Sequence, residues 1–212
     1  MIAKLHRVQK RFKGKRVLED VNLTINENEI VGIVGGNGSG KTTILRLLAG
    51  LMYAEHGDVI VHGSKIKKGQ FPDNIGLLIE TPRFIDRLSG YENLKLLADI
   101  KKEIGETEIR SVMKQFKLDP DLKDNVKTYS LGMNQRLGLA QAFMEKPKLL
   151  LLDEPTNALD EDSKKRFEEI IFEARQEGAG VALVSHQKEE IQRLCDRVYM
   201  LEEGVLKEVR SV

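Results

Sequence analysis

The chain has 212 residues, of which 41% are hydrophobic and 32% charged, which describes a globular chain with a real core and excludes a disordered one. Lys+Arg is 34 against Asp+Glu 33, and this +1 balance argues against a bulk nucleic-acid binder. The single cysteine, Cys195, excludes an internal disulfide and suits a reducing compartment; with Ile191 and Leu194 it reads as the packed face of a short helix.

From the N-terminus, the run Lys10 to Arg16 reads as a solvated hairpin. Val21, Leu23 and Ile25 alternate with polar residues, the pattern of a half-buried strand. Glu29 to Gly35 reads as a buried strand entering a glycine loop, followed by a helix with Ile44, Leu47, Leu48 and Leu51 on one face. His56 to Gly63 and Ile75 to Ile79 are further strands, and the second ends on Glu80, Thr81 and Pro82.

The middle of the chain is helical. Ser89-Gly-Tyr-Glu92 is a capping box that should start a helix running to about Ile104. Ile109, Val112, Met113 and Phe116 define a second helix, stopped by Asp119-Pro120. A third runs from Leu131 to about Glu145, with Ser130 as N-cap. Beyond Pro147, Leu149 to Leu152 is a strand buried on both faces, Asp162 to Glu177 an amphipathic helix, and Val181 to Ser185 and Val198 to Leu201 are strands. The outline is an α/β core, residues 1–79 and 146–212, interrupted by a helical insert, residues 80–145. No apolar run approaches the ~20 residues that span a bilayer, and the start lacks a signal-peptide core, so the expected location is the cytoplasm.

Two motifs carry chemistry. Gly35-Gly36-Asn37-Gly38-Ser39-Gly40-Lys41-Thr42 fits G-x-x-x-x-G-K-[ST] between a predicted strand and a predicted helix. Its backbone N–H groups, with that of Thr43 behind them, can wrap phosphate oxygens at a positive helix end, Lys41 can reach the β- and γ-phosphates, and the Thr42 hydroxyl can hold Mg²⁺. Asp153 ends the leucine strand and can bind Mg²⁺, and Glu154 beside it can polarise an attacking water. Taken alone, the two acids could equally be an ordinary strand exit.

Together the glycine loop, "LLLLDEP", "NALD" and "LVSH" resemble the ATP-binding subunits of ABC transporters over essentially the whole chain. The resemblance implies a RecA-like P-loop NTPase core with an N-terminal antiparallel β portion and an inserted α-helical subdomain. It implies ATP hydrolysis with ATP and Mg²⁺, and closure of two copies, identical or different, around nucleotide. It also implies a transmembrane partner subunit that holds the chain at the inner face of the membrane. The family's Leu-Ser-Gly-Gly-Gln signature falls on Tyr129-Ser130-Leu131-Gly132-Met133, where Ser130 and Gly132 match and Tyr129, Leu131 and Met133 depart. By the same resemblance Asp160 communicates across the dimer, His186 senses the γ-phosphate, and Phe12 stacks on adenine, though a phenylalanine is as readily core. Glu80 stands where the family has glutamine and becomes a candidate Mg²⁺ ligand; "IETPRF" and "YSLGMNQR" resemble the bacitracin-resistance and lantibiotic-immunity export branch. Alternatives are a P-loop small-molecule kinase and a non-transport or regulatory ATPase of the same type. The kinase would not account for the signature serine, the paired acids and the histidine together.

Overall fold

The computed structural model describes residues 1–209. Among the described residues, two sheets are built from ten strands. An antiparallel sheet of order β2-β1-β4-β5 comprises β1 (Ala3–Phe12), β2 (Lys15–Ile25), β4 (His56–Val61) and β5 (Ser64–Lys65). The second sheet, of order β10-β9-β3-β8-β7-β6, comprises β3 (Ile30–Val34), β6 (Ile75–Leu78), β7 (Leu149–Asp153), β8 (Gly180–Val184), β9 (Arg197–Glu202) and β10 (Val205–Val209). Its first five strands in chain order pair in parallel, and β10 closes one edge antiparallel to β9. The fold is the expected α/β class.

Among the described residues six α-helices accompany the sheets: α1 (Lys41–Leu48), α2 (Gly90–Lys101), α3 (Glu106–Gln115), α4 (Leu131–Phe143), α5 (Glu161–Gln176) and α6 (Lys188–Leu194). The second sheet is sandwiched, and its strands show this residue by residue. Leu150, Leu152, Val181 and Leu183 face a core shared with α2 to α5, while Leu149, Leu151, Ala182 and Val184 face α1 and the antiparallel sheet. This alternation with period two, apolar on both sides, is why the leucine run carries no polar residue before Asp153.

Several local expectations are refined. The helix after Ser89 has the expected capping box but ends at Lys101, because Lys102 turns left-handed with φ 60°. The next helix begins at Glu106, a turn before Ile109. The basic run is an exposed hairpin in which Phe12 pairs with Lys15 across Lys13-Gly14, both at positive φ, as a two-residue turn requires. Cys195 caps the end of α6, half-buried, against the backbone of β3 at Gly32. Among the described residues no helix is long and apolar enough to cross a membrane.

Candidate active site

The glycine loop leaves β3 at Val34 and enters α1 at Lys41. Gly40 caps that helix at φ 111°, and a Cβ there would meet Val17 at 2.9 Å, so both conformation and space call for glycine. The Lys41 ammonium is folded back over the loop, donating to the carbonyls of Gly35 at 2.8 Å and Gly36 at 2.9 Å. The Ser39 hydroxyl is buried in the same loop with no hydrogen-bond partner. Beside the loop lies a cleft of about 270 Å³ lined by Phe12, Val17, Gly38, Gly40, Lys41, Thr42 and Thr43. Phe12 is 42% exposed there and carries Lys10 over its ring at 5.4 Å, so it is not core.

The acids arrive from the neighbouring strands. Thr42 Oγ1 donates to Asp153 Oδ2 at 2.6 Å, bringing the first turn of α1 to the end of β7. Asp153 is buried, and burial pushes its carboxyl above the ordinary value; the nearby charges of Glu154 and Glu80 push the same way, against the Thr42 hydrogen bond and Lys41. A threonine hydroxyl against a desolvated carboxylate is a donor set of hard oxygens, the kind that suits Mg²⁺.

Glu154 follows with φ 49°, a left-handed conformation that costs a non-glycine residue roughly 1–3 kcal/mol. Its N–H donates to the Val184 carbonyl at 2.9 Å, across from β7 to β8. Its Oε1 lies 2.7 Å from His186 Nδ1, while its Oε2 is buried without a partner. His186 stands just beyond β8 with its side chain 60% exposed. The loop, Thr42, Asp153, Glu154 and His186 are thus brought together at the carboxyl ends of adjacent parallel strands, where open α/β sheets bind ligands.

Among the described residues, Ser130, Leu131, Met133 and Asp160 make no hydrogen bond to these side chains, while Glu80 lies near enough for its charge to act on Asp153. Ser130 is the N-cap of α4, its Oγ accepting from the Met133 N–H at 3.2 Å. Leu131 beside it is 67% exposed, and Met133 turns back onto the core. Asp160 caps α5, accepting from the Ser163 N–H at 2.7 Å. Glu80 is turned to Arg46 on α1, with Arg46 Nη2 at 2.5 Å from Glu80 Oε1 and the carboxylate 63% exposed. No cluster of three or more acidic, histidine or cysteine side chains arranged for a metal occurs among the described residues. Arg46 and Val17 were not foreseen: neither carries a motif, and each reaches the site only through the tertiary fold.

The ABC transporter family model matches residues 18–157. The uncharacterized ABC transporter ATP-binding protein YdbJ of Bacillus subtilis (strain 168) is 40% identical over 205 residues, covering 94% of this chain and 66% of that protein. The lantibiotic transport ATP-binding protein SrtF of Streptococcus pyogenes is 34% identical, covering 95% of this chain and 87% of that protein. The bacitracin transport ATP-binding protein BcrA of Enterococcus faecalis is 33% identical, covering 94% and 66%. This chain therefore spans about two thirds of the length of some of its relatives and nearly all of others. Among solved structures, an ATP-binding subunit of an ABC transporter superposes with TM-score 0.90 at 27% identity, covering 98% of this chain and 88% of that one. A dimeric ATP-binding cassette solved in a post-hydrolysis state bound to ADP and Pi superposes with TM-score 0.88 at 25% identity over the full length of both. On the matched family model, the relatives and the shared fold, this chain belongs to the ABC transporter family as one of its ATP-binding proteins.

Proposed function

We propose that the chain is the ATP-hydrolysing motor of an exporter whose channel is a separate membrane subunit. The observation that carries this reading is the convergence of Thr42 with Asp153, and of Glu154 with His186, at one edge of the glycine loop. ATP would lie with its base on Phe12 and its phosphates in the loop, where residues 35–43 and the start of α1 offer N–H donors and a positive dipole end. Lys41 would exchange its two loop carbonyls for phosphate oxygens. Thr42 and Asp153 would hold Mg²⁺, with Glu80 within its field, and the metal would supply charge neutralisation on the phosphates.

The rest of the chemistry belongs to the chain's own residues. Glu154 takes a proton from the attacking water as its oxygen bonds to the γ-phosphorus in line with the departing ADP oxygen, and His186 steadies the carboxylate. Lys41 stabilises the charge developing on the transferred group. A second chain, identical or related, would present Ser130, Leu131, Gly132 and Met133 to the γ-phosphate, and Asp160 would lie along that junction. The helical insert, residues 80–145, would move against the core formed by 1–79 and 146–212 and pass the motion to the membrane subunit, holding the chain on the inner membrane face. The similarity to lantibiotic and bacitracin transport proteins favours a membrane-active peptide as the exported substrate.

The test is phosphate release from ATP with no acceptor but water. Release that is Mg²⁺-dependent and lost in Lys41→Ala supports the motor; release that appears only with an added small-molecule acceptor points instead to a kinase.

A further inference from the structure

Helix α4 carries Ser130 at its cap, and its next turn reaches the catalytic loop of the same chain. Gln135 is buried, at 8% exposure. Its Nε2 donates to the carbonyl of Pro155 at 2.9 Å and to that of Glu154 at 3.3 Å. Both neighbours are carbonyls, which only accept, so the amide nitrogen has to face them. One turn earlier on the same face, Gly132 lies against this loop so closely that a Cβ would come within 2.9 Å of the Ala158 carbonyl oxygen. The helix therefore grips residues 154–158 at two points.

What it grips is a backbone under constraint. Glu154 stands at φ 49° and Ala158 at φ 65°. The Glu154 N–H is tied to Val184, and its carbonyl also accepts from Asn157 N–H at 3.2 Å. With the peptide groups on both sides of Glu154 pinned, the carboxylate can turn only about its own side-chain bonds, and it meets His186. Without the Gln135 amide, the Pro155 carbonyl would be left buried and unpaired, and a backbone with an unpaired buried acceptor shifts to satisfy it.

We infer that Gln135 is a positioning residue that holds the Glu154–Pro155 backbone so that the Glu154 carboxylate meets His186. Because Ser130 and Gln135 belong to one helix, a phosphate contact at the tip of α4 and the aim of the chain's own base are carried on one rigid element. The role of Glu154 as base rests on the function proposed above; the geometric part of the inference does not.

The test uses Gln135→Met, which keeps the length of the side chain and removes both donors. Two measurements are made on the full chain. The ¹⁵N resonance of His186 Nδ1 in the nucleotide-free protein reports its hydrogen bond to Glu154, and it should move toward the position seen in Glu154→Gln. Steady-state ATP turnover should show kcat lowered about 10- to 100-fold with KM within about twofold, and no further loss when Gln135→Met is added to Glu154→Gln. An unmoved His186 resonance overturns the inference whatever the turnover, as does an equal loss of kcat in both backgrounds. Where Gln135→Met does not fold, Gln135→Asn, which withdraws the amide by one methylene, is read by the same two measurements. A parent chain without ATP turnover would refute the proposed function, while the His186 resonance would still decide the role of Gln135.

Discussion

Glu154 and His186 meet at 2.7 Å although 32 residues separate them. The strands that deliver them, β7 and β8, are neighbours, with Asp153 paired to Val184. Glu154→Gln keeps the shape and removes the base. ATP binding should survive, turnover should fall about 10²- to 10⁴-fold, and a long-lived ATP-bound dimer should accumulate. Phosphate release and gel filtration with ATP check both parts. Full turnover in this variant would remove Glu154 from the role of base.

Glu80 is tied to Arg46 on an exposed face, where an ion pair contributes about 0–1 kcal/mol and is easily exchanged. Two variants should therefore move in opposite directions. Glu80→Gln should retain substantial ATPase activity but need more Mg²⁺ for half-saturation, because an amide attracts the cation less than a carboxylate. It should also shift the acid limb of the rate profile to lower pH, since Glu80 helps push the Asp153 carboxyl up. Arg46→Gln frees the carboxylate and should lower the Mg²⁺ requirement. Unchanged Mg²⁺ titrations in both would make Glu80 no more than a strand exit.

Much of this was readable in the sequence because it rests on local rules. The glycine loop, the capping box at Ser89 and the apolar strand ending on Asp153 each follow from spacing alone. Strand β1 was not readable, because its register shifts between Leu5 and Val8 and Arg7 sits at φ 50°, which breaks the alternation that marks a strand. Strand β10 has no fully buried residue and takes its structure from β9. The sequence singles out Glu154 and His186 but not what holds their neighbours: Arg46, which pairs with Glu80, and Gln135, which bonds the Glu154 carbonyl, lie 34 and 19 residues away, and only packing brings them together.

Asp160 gives the helix α5 an acid-sensitive start. The Ser163 N–H, and then its hydroxyl, hold the carboxyl below its ordinary 3.8. A folded value below the unfolded one means that this stabilisation is present at neutral pH and is lost as pH falls through the folded value. Asp160→Asn keeps a capping oxygen without the titration. Its unfolding midpoint in urea should therefore vary less with pH below 4 than that of the parent. Parallel curves would show that the cap does not titrate.

Cys195 should be chemically quiet. Burial, with help from the charges of Glu190 and Asp196, pushes its thiol up to about 12, so the reactive thiolate is scarce at neutral pH. Iodoacetamide at pH 8 should label the native chain far more slowly than the chain in urea. Equal labelling rates would show that the α6 cap is open in solution.

The crossover between β6 and β7 contains α2, α3 and α4, and β6 is the outermost strand of its sheet, only four residues long. Backbone pairing thus ties the three-helix crossover to the rest of its sheet through the single β6–β7 ladder. A second tie is made by packing, where Gln135 and Gly132 of α4 meet residues 154–158. A displacement of α4 is therefore felt at the Glu154 loop directly, without passing through the β3–β8 and β7–β8 ladders that hold the strands in register.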